Sequence, residues 1–305
     1  MGAFSRLLAD IDPGLSLVSV RELTGGVSAR VTAVQARRPD GSEQVLTVRQ
    51  YGNANLRSDP HSAAHEYQLL CLLRKADLAV PRPIRYDESG AALPGPLLVA
   101  DFADGTAVTR PAQLTQPLTD FTGQLAAFLA RLHQAAFTDA DAPYLRTLLT
   151  AATFRVGTPP RVMDEALSEP AIRAALAGRW PPPDANPPVV LHGDYWPGNV
   201  LWRGSQLVRV LDWEDAAVGD PVADLANARM ELSMAFGFAA ATAFTGQYCA
   251  LRPGIDLAGL PAWDLYAALR HAGRMAEWGL DDAERERLQS GHLEFASAAL
   301  SAVAD

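Results

Sequence analysis

The chain has 305 residues, 49% of them hydrophobic and 20% charged, with a formal net charge of −9. That length can bury a large core in one domain or two. The acidic balance argues against nucleic acid as a partner, because phosphates call for basic surface, and mildly favours a cationic ligand. Cys71 and Cys249 lie far apart and form neither a disulfide framework nor a metal spacing. Residues 1–6 lack the basic start and apolar segment of a leader, and Arg6 stands where a myristoylation signal has Ser or Thr. The most apolar run, residues 234–244, is too short to span a bilayer. The expectation is a cytoplasmic protein with no membrane or nucleic-acid partner.

In chain order, residues 3–11 read as a short amphipathic helix, 18–23 and 30–35 as two strands, and 44–49 as a third strand ending on Arg49. Between the first two strands lie Thr24, Gly25, Gly26, Val27 and Ser28, a hairpin turn whose glycines would let backbone N–H groups approach a phosphate. Residues 61–76 have helical spacing and carry Glu66 near the start. His61 and His65, at i and i+4, lack the glutamate of a zinc-binding helix and read as surface residues. A strand at 84–86 and a buried run from Pro96 into Asp101, Phe102, Ala103, Asp104 and Gly105 follow. Beyond Leu114 the pattern turns to long helices: 118–134, ending near His133, then a less regular stretch over 140–160 and a helix near 162–177. Later helices fall near 222–236, 238–251, 262–278 and 281–304. Trp263, Tyr266, Trp278, Glu231, Asp264 and Glu277 are candidates for a pocket, although a Trp at helical spacing is more often core.

The chemistry concentrates in residues 189–201, VVLHGDYWPGNVL, and in the VLDW run that ends on Asp212 and Trp213. A short apolar strand, a loop turned by Pro197 and Gly198, and a hairpin around Gly204 gather Asp194, Asn199 and Asp212. Carboxylate and carboxamide oxygens suit a hard cation such as Mg²⁺, which keeps its other positions for water and phosphate. Kinase catalytic loops have this form: H-x-D-x-x-x-x-N, with a later Asp on the metal. Here His192, Gly193 and Asp194 precede Asn199 by that spacing, and Asp212 follows thirteen residues on. The pattern H-G-D-x-x-x-x-N, then a hydrophobic-D-W and G-D-P-x-x-D-L-A over 219–226, resembles the aminoglycoside phosphotransferase / choline kinase family.

That resemblance implies an α+β, bilobal protein-kinase-like fold. An N-terminal lobe over 1–100 would hold an antiparallel sheet and a helix, 101–106 would be a hinge, and 107–305 a mostly helical lobe. It implies a kinase moving the γ-phosphate of ATP, with Mg²⁺, to a hydroxyl of a small molecule: an aminoglycoside-like antibiotic, or choline, homoserine or a sugar. A non-catalytic nucleotide binder is the rival. Asp194 would accept or orient the hydroxyl proton, and Asn199 and Asp212 would hold the metal. Arg49, steadied by Glu66, would grip the α- and β-phosphates where kinases place Lys. Gly25, Gly26 and Ser28 would cover the phosphates, and the Asp101 carbonyl and Ala103 amide would meet the adenine edge. His192 would brace the loop, Asp220 would cap a helix begun by Pro221, and Asp224 would bond back to the loop's backbone.

Overall fold

The computed structural model describes residues 2–23, 29–137 and 140–303. The chain forms two compact units, Met1–Gly105 with Asp139–Tyr144 and Arg209–Glu214, and Thr106–Thr138 with Leu145–Val208 and Asp215–Asp305.

The first unit opens with helix α1 (Ala3–Ile11), followed by strands β1 (Ser16–Leu23), β2 (Ala29–Arg37) and β3 (Glu43–Tyr51). Helices α2 (Asn53–Ser58) and α3 (Ser62–Lys75) and strands β4 (Pro83–Asp87) and β5 (Leu97–Asp101) complete it. The five strands form one sheet in the order β1-β2-β3-β5-β4, antiparallel throughout. Alternation along β2 and β3 sends Val34, Ala36, Leu46 and Val48 into a core shared with Leu7 and Leu8 of α1 and with Leu97 and Val99 of β5. Burial of each such Leu or Val stabilises by about 1.5–3 kcal/mol. The register opposes Val31 to Arg49 and Arg49 to Leu98, so Arg49 sits on a central strand.

The second unit holds β6 (Thr106–Ala107), α4 (Leu118–Gln134), β7 (Arg146–Thr147), α5 (Leu148–Gly157), α6 (Glu169–Leu176), β8 (Val189–Leu191), β9 (Val200–Arg203) and, as far as Val208, β10 (Gln206–Val210). It continues with β11 (Ala217–Gly219), α7 (Pro221–Phe236), α8 (Phe238–Leu251), α9 (Leu260–His271) and α10 (Asp282–Ala302). Its core gathers Met230 of α7, Trp263 and Leu269 of α9, Phe295 of α10 and Ile172 of α6. Strand β8 pairs with β11 in antiparallel register, Leu191 opposite Ala217, which anchors the start of the loop at His192. Among the described residues no helix is long and apolar enough to cross a membrane.

Three helical expectations need correction. Residues 140–160 are not irregular throughout: α5 occupies 148–157, but of its residues only Ala152 is buried, so no apolar stripe advertised it. The helix near 162–177 is shorter, because Ser168 adopts a left-handed φ of 57° and Pro170 opens α6 just after it. The helix over 262–278 stops at His271, where Gly273 takes φ 73° and a separate 3₁₀ turn covers Met275–Glu277. His65 is also less exposed than expected: its ring stacks on Tyr144 at 4.5 Å and meets Asp59 at 2.7 Å.

Candidate active site

In the first unit, Arg49 is the hub. Its guanidinium pairs with Asp212 at 2.9 Å, with Glu214, and at 3.7 Å with Glu66 of α3. The surrounding carboxylates outweigh the burial that would otherwise lower its pKa, and hold it above its ordinary value. Glu66 is buried and accepts a 2.7 Å hydrogen bond from the Tyr51 hydroxyl. Burial pushes its carboxyl upward, against the pull of Arg49. Asp212 has φ 63°, a left-handed backbone that is costly outside Gly, Asn and Asp. The expected Arg49–Glu66 pairing is therefore present but long, and Glu214 is a closer partner that the sequence reading passed over. Asp101 accepts the Arg82 amide through Oδ1 at 2.6 Å. Ala103 follows β5 in irregular backbone. Gly25, Gly26 and Ser28 lie outside the described residues.

In the second unit the loop after β8 is fixed from several directions. The buried Asp224 carboxylate of α7 accepts the amides of His192 at 2.6 Å and Gly193 at 2.9 Å. It also meets His133 Nε2 at 3.3 Å, and His133 Nδ1 contacts the Tyr248 hydroxyl at 2.7 Å. Burial alone would raise the Asp224 carboxyl, but the bonds from His133 and the loop amide hold it below the ordinary range. Burial in turn depresses His133. The expected bond from Asp224 to the loop backbone is thus present, and Asp220 caps α7 by accepting the Val222 amide at 2.9 Å.

His192 is fully buried, and its Nδ1 accepts the Asp194 amide at 3.3 Å, which makes it the expected brace. Asn199 donates from Nδ2 to the Asp194 carbonyl at 2.9 Å and to Asp194 Oδ2 at 3.3 Å. This leaves the carboxamide oxygen of Asn199 directed elsewhere, an oxygen donor of the hard type that Mg²⁺ takes. Asp194 keeps a third of its side chain exposed and pairs with Arg270 Nη2 at 3.3 Å. Burial raises its carboxyl pKa, Arg270 pulls it down, and Glu231 and Asp215 add to the rise.

Arg270, near the end of α9, was missed. Besides Asp194 it donates from Nη1 to the Gly193 carbonyl at 2.7 Å and to Asn227 Oδ1. A lone Arg in the last turn of a helix looks like a solvated charge in sequence, and only the distance of 76 residues folded back onto the loop gives it a role. The pocket candidates divide. Trp263 and Tyr266 are core aromatics stacked edge-on; Asp264 pairs with Arg229, burial pushing its carboxyl up to about 6; and Glu231 pairs with His271.

Gly193 has φ 80°, and a Cβ built there would lie 2.1 Å from the Asp215 carbonyl oxygen. Gly193→Ala is expected to cost about 2–4 kcal/mol, from left-handed strain plus a backbone clash. Urea unfolding checks it: a midpoint equal to that of the wild type would mean the loop yields freely there.

A profile of the Phosphotransferase enzyme family, APH, matches residues 19–266. The homoserine kinase of Methylocella silvestris is 31% identical over 227 residues, covering 69% of this chain and 68% of that protein. Among solved structures, macrolide 2'-phosphotransferase MphH from Brachybacterium faecium superposes with a TM-score of 0.62 at 23% identity, over 95% of this chain and 98% of that one. Aminoglycoside 2'-phosphotransferase-IIIa in its GDP complex gives 0.66 at 18% identity, over 98% of each. The structural likenesses establish the protein-kinase-like fold, and the profile match with the curated relative establishes that this chain belongs to the APH phosphotransferase family and is a small-molecule kinase.

Proposed function

We propose that the chain transfers the γ-phosphoryl group of ATP to a hydroxyl of a small molecule. The observation that carries this is the Asp194 carboxylate, part-exposed and held at once by Asn199 and Arg270. In the reaction the bond from the γ-phosphorus to the bridging oxygen breaks, leaving ADP, and a bond from phosphorus to the acceptor oxygen forms. The acceptor's proton passes to Asp194. Such transfers run through a loose transition state, so the protein's contribution is positioning and charge stabilisation.

Arg49 would grip the α- and β-phosphates, with Glu66 behind it and Gly25, Gly26 and Ser28 covering them. In this reading Asp212 and Glu214 occupy the guanidinium that nucleotide phosphates would share. The Asp101 carbonyl and Ala103 amide would take the adenine edge. Asn199 and Asp212 offer the oxygens for Mg²⁺, which when bound would supply positive charge to the phosphates. A GDP complex is known for one fold relative, so ATP and GTP should be compared directly.

The test is ADP release with Mg²⁺ and ATP against L-homoserine, kanamycin, a macrolide, choline and simple sugars. Acceptor-dependent release is the expected result, together with a rise in Tm on adding ATP that requires Mg²⁺. Absence of both a Tm rise and ADP release would overturn the reading.

A further inference from the structure

Helix α7 supplies the loop with a second polar side chain besides Asp224. Asn227 lies three residues further on, so it leaves the helix on the same side, and it is 3% exposed. Its Nδ2 donates to the Tyr195 carbonyl at 3.2 Å, and its Oδ1 accepts from Arg270 Nη1. A guanidinium only donates and a carbonyl only accepts, so both ends of the carboxamide are committed. An Asp at this position would have no donor for the Tyr195 carbonyl, and a Leu would serve neither partner.

Arg270 stands between two carboxylates. Its Nη2 is 3.3 Å from Asp194 Oδ1 and 3.9 Å from Asp215 Oδ2. Asp215 is the more exposed of the two and already pairs with Arg146 at 2.8 Å. A small turn of the guanidinium would exchange one partner for the other. The group is planar and its donors are fixed relative to each other, so whatever holds Nη1 also aims Nη2. Nη1 is held by the Gly193 carbonyl at 2.7 Å and by Asn227. The carbonyl belongs to the loop and moves with it. Asn227 is mounted instead on α7, among the buried residues Leu225, Ala226 and Ala228. Asp194 Oδ2 is met from the other side by Asn199 Nδ2 at 3.3 Å.

From this chain of contacts we infer that Asn227 is a positioning residue for phosphoryl transfer. Acting through Arg270, it keeps the guanidinium on Asp194 rather than Asp215 and so aims the Asp194 carboxylate at the acceptor hydroxyl. This inference rests on the phosphotransfer reading above. It assigns a buried carboxamide, with no substrate contact of its own, a role in kcat. A carboxamide that merely anchored the loop through Tyr195 would lower Tm, and its effect on rate would be independent of Arg270.

The test uses the intact enzyme with Mg²⁺ and ATP, the fastest acceptor of the panel above, or water where none is phosphorylated. Rates are read below the melting temperature of each variant. Asn227→Ala should lower kcat about 10–100-fold, the cost of a misplaced reacting group, and leave KM for ATP within about threefold. Arg270→Ala should lower kcat at least as much. The double variant should then lie within about threefold of Arg270→Ala, because two residues acting in series do not add. Arg270→Lys keeps the charge without the fork and should recover only part of the loss. Should Asn227→Ala not fold, Asn227→Ser, polar but too short to span both partners, carries the same comparison.

An unchanged kcat in Asn227→Ala, or a double variant showing the product of the two single losses, would overturn the inference and leave phosphotransfer standing. Wild-type kcat in Arg270→Lys would do the same, since charge alone would then suffice. A wild type that binds ATP and releases no ADP with any acceptor or with water would overturn it too. Loss of both ATP binding and ADP release would bring down the phosphotransfer reading, and the inference with it.

Discussion

Asp194→Ala is expected to lower kcat by about a thousandfold or more while nucleotide still binds. General-base assistance contributes about 10²–10⁴, and Asp194 is also the group that Asn199 and Arg270 orient. The variant removes a part-exposed side chain, so folding should survive, and an ATP-dependent rise in Tm should remain. Asp212→Ala provides the contrast. It removes a proposed metal ligand and the partner of Arg49, so it should weaken the Mg²⁺-dependent nucleotide response itself. Full turnover by Asp194→Ala would mean that another group takes the proton.

The pH dependence follows from the same residue. In the proposed role Asp194 would work as its ionised form, and its pKa is raised, first by burial. The acid limb of kcat/KM should therefore lie above the ordinary carboxylate value of about 4. Arg270 opposes the rise, so Arg270→Gln should move that limb to still higher pH. A limb at or below the ordinary value in the wild type would contradict the assignment.

Much of this architecture was legible because the relevant signals are local. Strand β2 announced itself by alternation, β1 and β3 as strand-like runs either side of it, and α4 by a 3.6-residue apolar stripe whose ends match Leu118 and Gln134. His192, Asp194, Asn199 and Asp224 were legible because the loop and the start of α7 have fixed spacings with few alternatives. What stayed hidden was long-range or carried no periodic signal. Arg270 acquires meaning only when α9 returns to the loop. Glu214 reads as a loop acid until Arg49 is found against it. Helix breaks at Ser168 and Gly273 depend on single left-handed residues inside otherwise helical patterns, and periodicity averages over them.

The largest effect on stability is expected at Asp224. This carboxylate is 1% exposed and is the acceptor for two loop amides and a partner of His133. Asp224→Ala leaves those buried N–H groups without an acceptor, each costing about 1–3 kcal/mol. The sum should be about 3–5 kcal/mol, or a fall in Tm of about 10 °C. Because the loop it holds carries Asp194, turnover should fall too, even at temperatures where the variant is folded.

Protonation should act in the same direction as the substitution. The folded-state pKa of Asp224 lies below its unfolded value of about 3.9, so its contribution is complete above that pH and is lost as pH falls through the folded value. His133 is also depressed, so it adds a loss that begins as pH drops below about 6.5. Thermal melts between pH 8 and pH 3 should show the wild type losing stability on acidification. Asp224→Asn, which cannot ionise, should show a shallower decline below about pH 4 from a lower starting point. Parallel pH profiles for the two proteins would place the acid sensitivity elsewhere, and an Asp224→Ala Tm within about 2 °C of the wild type would mean that the loop amides find other acceptors.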